Sequence, residues 1–208
     1  MAVLDALAEI SSEAELRELL GTPARRVITK ERSRLHERDI EWLAASPFCL
    51  VATSGADGTC DVSPKGDPPG FALVLNETTI AIPERPGNKR ADGYRNILAN
   101  PHVGVLFMVP GIDEVIRVNG RARLRTDPDL LDAMAIKGKS ATLAVVIDSD
   151  EVYVHCARAI LRSDLWDPER FADPDVVPTV RDILVEQHAM PVPADEPRRQ
   201  EPYRAHLY

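Results

Sequence analysis

Basic excess is the first thing this 208-residue chain lacks. It carries 25 Lys and Arg against 33 Asp and Glu, a formal charge of −8. Such a chain has no general electrostatic footprint for nucleic acid or an anionic membrane surface. Cysteine is scarce too. Cys49, Cys60 and Cys156 are an odd number without C-x-x-C spacing, which excludes a closed disulfide framework and leaves buried or half-buried thiols of a reducing compartment. No apolar run approaches the length of a membrane span. The opening MAVLDALAEISSEAELRELL is acidic and lacks the basic start and unbroken apolar core of a signal peptide, so a cytoplasmic location is expected. There is no P-loop, no G-x-G-x-x-G, no H-E-x-x-H and no G-x-S-x-G. His36, His102, His155, His188 and His206 are isolated from one another, and no metal site is expected.

What remains is an ordinary globular composition, 44% apolar and 28% charged, long enough to bury roughly 70% of the unfolded surface in one sizeable core. The acidity is uneven. Residues 1–163 hold 20 basic and 23 acidic side chains, whereas residues 164–201 hold 4 basic and 10 acidic ones.

Ser11-Ser12 followed by Glu15 has capping-box spacing, and Leu16, Leu19 and Leu20 share a helical face that ends at Gly21. A basic linker from Arg25 to Arg34 precedes a second helix of about Arg38–Ala45, stopped by Ser46-Pro47. From Phe48 the period changes to that of strands. PFCLVATS and TCDVSP around GADG read as one hairpin, and FALVL and TTIAIP as another. A helix carrying Tyr94, Ile97 and Leu98 follows, then the strands HVGVLFMV and EVIRVNGRARLRT and a short helix from Asp129 to Ala135. TLAVVID and EVYVHCARAILRS read as a further hairpin turning at Ser149-Asp150, before a last helix of about Val180–Gln187 and a Pro- and charge-rich tail. Strands in hairpin order with few helices exclude a βαβ sheet. They predict a mainly β fold, a small antiparallel barrel with peripheral helices.

Three segments stand out chemically. In RPGNKRADGYR, residues 85–95, Arg85, Lys89, Arg90 and Arg95 face only Asp92, a local charge of +3 just before a helix. Cationic side chains beside exposed helix-start amides suit a phosphate; a solvated basic loop is the other reading of such a cluster. In DVSPKGDPPGF, residues 61–71, Ser63 and Lys65 leave a strand for a stiff turn. That turn either presents backbone groups to a planar ligand or simply joins two hairpins. Arg117, Asn119, Arg121 and Arg123 alternate along one strand and share one face. That face is a solvated sheet surface or part of an anionic-ligand or subunit contact.

In this order the segments SPFCLVATSGADGTCDVSPKGDPPGF, IPERPGNKRADGYRNILANPHVGVLF and IRVNGRARL, with RSDLWDP after them, resemble the pyridoxamine 5'-phosphate oxidase-like flavoproteins. The likeness is strongest to a bacterial subgroup of FMN-dependent enzymes and covers about residues 13–190. It implies an antiparallel split β-barrel that binds FMN, working as a homodimer with FMN at the subunit interface. Residues 1–36 would be an N-terminal helix and linker packing on the barrel, 37–165 the FMN-binding domain and 166–208 a C-terminal helix and tail.

The resemblance also implies a site. Cys60, Asp61, Val62, Ser63, Pro64, Lys65 and Gly66 would run along the flavin and its ribityl chain. Ile82 and Pro83 would approach the ring, and Asn88, Lys89 and Arg90 would hold the phosphate. Val115 and Arg117 of the second subunit would come near the flavin, and Trp166 would close the site. Arg117 is the one candidate for a catalytic role, stabilising negative charge on reduced flavin or orienting an anionic substrate. The implied function is an FMN-dependent oxidoreductase with a small-molecule substrate. The alternatives are a non-catalytic flavin-binding or redox-sensing module, pyridoxamine 5'-phosphate oxidase proper, or a relative that takes deazaflavin or heme. The oxidases proper carry R-x-x-x-x-K where this chain reads DVSPKG, and their carboxy-terminal R-x-H is spelled here only by Arg204-Ala205-His206 in the tail.

Overall fold

The computed structural model describes residues 9–188 and 207–208. The described residues fall into two compact units that divide between Glu31 and Arg32. In the first, α1 (Glu13–Leu20) starts at Ser12, whose side chain accepts the Glu15 N–H, and ends at Gly21 with φ 76°. The left-handed end favours glycine, because any Cβ there meets the following carbonyl. The basic stretch expected as linker contains one helical turn, α2 (Arg25–Ile28).

The second unit opens with α3 (Glu37–Ala45). Its cap is reciprocal: His36 Nδ1 accepts the Arg38 N–H, and Asp39 accepts the His36 N–H at 2.7 Å. Asp39 is buried, and Arg32 balances its charge at 2.9 Å. At the other end the buried Ser46 hydroxyl lies 2.9 Å and 2.7 Å from the carbonyl oxygens of Phe48 and Met108, tying the helix end to two strands.

Seven antiparallel strands follow: β1 (Phe48–Ser54), β2 (Cys60–Gly66), β3 (Leu73–Asn76), β4 (Thr79–Pro83), β5 (His102–Met108), β6 (Val115–Arg125) and β7 (Ala144–His155). Their order is β2-β1-β5-β6-β7-β4-β3. β2 and β3 are the two ends, and no ladder joins them, so this is a split barrel. On β1 the alternate residues Cys49, Val51 and Thr53 point inward, as period two requires. Cys49 and Val51 meet Phe107, Ile116, Val118, Ile82, Ile147 and Val152 in one core. α4 (Asp92–Ala99) packs Ile97 onto that core. α5 (Pro128–Ala133), α6 (Arg158–Arg162) and α7 (Val180–His188) complete the α-helices among the described residues, with single 3-10 turns at Pro168–Arg170 and Pro174–Val176.

One expected hairpin is absent. Residues 144–155 form a single strand paired with β6, not two strands turning at Ser149-Asp150. The turn chemistry instead marks a bulge: Gly120 faces Ser149 and Asn119 faces Glu151, leaving Asp150 as the extra residue. Gly120 makes the bulge possible, since a Cβ there would lie 2.1 Å from the Asp148 carbonyl oxygen. The tail expected after residue 188 lies outside the described residues up to Leu207.

Candidate functional site

β2, the end of β4, and the loop entering α4 enclose a cavity of about 480 Å³. Alternation on β2 turns Asp61, Ser63 and Lys65 toward it and leaves Cys60 and Val62 on the opposite, exposed face. The floor is apolar, made by Val51, Ile82, Ile97 and Val145. α4 approaches closely at Gly93, where a Cβ would lie 3.2 Å from Asp61 Oδ2. Asn96 donates to Thr53 Oγ1 at 3.1 Å and fixes the helix against β1.

The far end of the cavity is a loop with unusual backbone. Lys89 and Ala91 have φ of 61° and 59°, left-handed values that side chains with a Cβ adopt only when the surroundings enforce them. Asn88 Oδ1 accepts the Arg90 N–H at 3.0 Å and tightens the turn. Ala91 is the N-cap of α4 and offers no side-chain cap. The first backbone N–H of the helix with an intrahelical acceptor is that of Arg95, bonded to Ala91 O. The amides before it, at the positive end of the helix, are what an anion binds.

The cations of this region are mostly engaged. Arg85 pairs with the buried Asp67 at 2.6 Å and donates to the Met134 carbonyl at 2.5 Å. Arg90 pairs with Asp92, which also lies 3.9 Å from Arg95. The Asp92 hydrogen bond and charge push the Arg90 guanidinium up from its ordinary value. Lys65 Nζ donates to Glu84 and to the Tyr94 hydroxyl, each at 2.7 Å, and Tyr94 donates to Glu84. Burial, then the Glu84 hydrogen bond and charge, push the Tyr94 phenol up. Among the described residues no carboxylate lies in ion-pair range of Lys89. Asp67 offsets Arg85, and Arg90 and Arg95 share the single Asp92, so the local charge falls from +3 to +2, with Lys89 as its exposed ammonium backed by amides.

Of the residues singled out from sequence, 61, 63–66, 82–83 and 88–90 line this one cavity. Cys60, Val62, Val115, Arg117 and Trp166 do not. Val115 is buried on β6, and Arg117 donates to the Tyr153 hydroxyl at 3.0 Å with its guanidinium 5.5 Å above that ring. Asn119 donates to Glu151, Arg121 to Asp150 and Arg123 to Asp148, so the polar face of β6 is matched across the ladder by β7. Trp166 Nε1 donates to the Ile112 carbonyl at 3.0 Å. Arg204 and His206 lie outside the described residues. Sequence reasoning passed over Glu84, which only the fold brings to Lys65, and took Tyr94 as a helix-face residue. The hydroxyl at the first turn of α4 was the available signal.

Residues 35–156 match the family model described as Pyridoxamine 5'-phosphate oxidase. No curated protein matches the chain. Among solved structures, a candidate pyridoxamine 5'-phosphate oxidase from Lactobacillus delbrueckii is 23% identical, covering 60% of this chain and 99% of its own, with a TM-score of 0.46. An FMN-binding protein from Syntrophomonas wolfei is 14% identical, covering 69% and 96%, at 0.43. HupZ from Group A Streptococcus is 15% identical, covering 58% and 93%, at 0.47.

Proposed function

The chain belongs to the pyridoxamine 5'-phosphate oxidase family, and from that membership we propose that it is an FMN-dependent oxidoreductase acting on a small substrate. The observation that carries this reading is the polarity of the cavity. An apolar floor at Ile82 and Val145 leads to Lys89 and the uncapped start of α4. Its volume of about 480 Å³ falls within the roughly 300–1,000 Å³ of small-molecule sites.

The donor set fits the cofactor. Lys89, the left-handed loop amides and the first turn of α4 would hold the phosphate. Ser63 and the backbone of 64–66 would run beside the ribityl chain, and Ile82 and Pro83 would support the ring. Bound FMN supplies hydride or electron transfer. The chain's own part is to orient the ring and to keep the phosphate at the loop end.

A homodimer belongs to the same reading. On the sheet face away from the core, Pro64, Leu50, Leu106, Arg117 and Tyr153 lie in one row across β2, β1, β5, β6 and β7. Val62, beside that row, is 57% exposed. A second copy on this face would cover apolar surface. No described helix is long and apolar enough to cross a membrane.

The test is the visible spectrum of the purified protein, with the flavin released by denaturation identified by chromatography. Lys89→Met should weaken FMN about tenfold or more and leave riboflavin, which has no phosphate, nearly unchanged. A colourless protein that takes up no added FMN refutes the cofactor. Turnover with NADH, NADPH or oxygen as redox partner separates an enzyme from a flavin carrier.

A further inference from the structure

The cavity contains a second ammonium, and it is neutralised. Lys65 Nζ spends two of its three donors on Glu84 and the Tyr94 hydroxyl, each at 2.7 Å, and lies 4.8 Å above the Tyr94 ring. The side chains of Lys65 and Glu84 are only 17% and 22% exposed, so solvent screens the pair weakly. Glu84 is itself held in place: its N–H donates to the Leu143 carbonyl and its carbonyl accepts the Thr142 N–H. It directly follows Ile82-Pro83 at the apolar end, whereas Lys89 stands on the loop. A cavity with both ammoniums free would accept anions at either end. With Lys65 paired, only the loop end carries net positive charge.

We propose that Glu84 is a specificity-determining residue that cancels Lys65, so that the cavity takes ligands with one anionic end, a phosphate monoester on an apolar ring, and rejects anions at the ring end. This rests on the flavin reading of the cavity. It extends that reading from which residues touch the ligand to which ligands are refused. A single preferred orientation follows, because the phosphate has one seat and not two.

The test uses riboflavin, which fills the ring end and leaves the loop end free, with inorganic phosphate as the probe anion. Riboflavin affinity is measured by flavin fluorescence in phosphate and in chloride of matched ionic strength. In the wild type phosphate seats at the loop, and riboflavin binding is unchanged. In Glu84→Gln phosphate also reaches Lys65, and riboflavin binding weakens about fivefold in phosphate relative to chloride. Adding Lys65→Met to that variant should restore indifference to phosphate, which a merely unfolded variant cannot do. Tyr94→Phe, which keeps the ion pair, should behave as the wild type. Equal phosphate response in wild type and Glu84→Gln overturns the proposal, as does a double variant that stays phosphate-sensitive. A wild type that binds neither FMN nor riboflavin overturns the flavin reading instead.

Discussion

Replacing Ala91 by glycine probes the loop proposed to hold the phosphate without removing a charge. Ala91 has φ of 59° as the N-cap of α4. The left-handed region costs an L-residue roughly 1–2 kcal/mol. Its methyl group is exposed, so deleting it forfeits little burial. Opposing the relief is the greater freedom of glycine in the unfolded chain, about 0.5–1 kcal/mol. The balance is a stabilisation of up to about 1.5 kcal/mol, about 0.75 kcal/mol at mid-range. For a chain of this size 1 kcal/mol moves the melting temperature by roughly 2–4 °C, so a thermal melt without flavin should rise by about 1–4 °C. FMN affinity should move the other way, weakening about two- to fivefold, because glycine adds conformers that binding must select against. A melting temperature that falls, together with FMN binding that holds or tightens, would show that the loop is neither strained nor pre-organised.

Gly120→Ala should destabilise the fold by about 2–3 kcal/mol, read as a lower urea midpoint. The new Cβ would meet the Asp148 carbonyl at 2.1 Å, and that backbone is held in the ladder. Burial pushes the Cys49 thiol up to about 12, whereas Cys60 and Cys156 are exposed. A disulfide reagent should therefore titrate two thiols in the native protein and three after denaturation; three fast thiols in the native state would contradict the core placement. Tyr94 has its folded pKa raised by burial and by Glu84. Its contribution is fully present below the unfolded value of about 10 and is lost as pH rises through the folded value. Stability measured in urea should thus decline above about pH 10, and Tyr94→Phe should decline less; an equal alkaline loss in both would exclude Tyr94 as a cause.

Local chemistry made the hairpins legible. β1 and β2 alternate cleanly around GADG, Asn76-Glu77 turns β3 into β4, and Pro110-Gly111 turns β5 toward β6. The misread element is instructive. Ser149-Asp150 carries turn residues, and only Gly120, about thirty positions earlier, reveals that the strand bulges and continues. The site divides in the same way. The run 88–90 was legible because its charges, Pro-Gly and helix start are adjacent in sequence. The partners that cancel neighbouring cations are not adjacent. Asp67 meets Arg85 across 18 positions and Glu84 meets Lys65 across 19, distances at which no periodicity speaks. The contiguous stretch 60–66 also divides between two faces, because a strand lying along a cavity turns only every second side chain toward it.

The same pairings change what the charge of the chain means for binding. At physiological ionic strength fields fade over about 8 Å, so neither the total of −8 nor the acidic segment of residues 164–201 decides what enters the cavity. The +3 counted along residues 85–95 does not locate the anion either, since Asp67 offsets Arg85 and the exposed Arg90 and Arg95 share Asp92. What distinguishes the loop end is directional. Backbone amides that a left-handed N-cap leaves uncapped stand beside Lys89, and the nearest competing ammonium in the cavity is cancelled by Glu84. Net charge would attract any anion to any basic patch. On the proposed flavin reading, amides with fixed aim beside Lys89 would select where along the cavity an anion rests, and so which end of a bound ring faces a substrate.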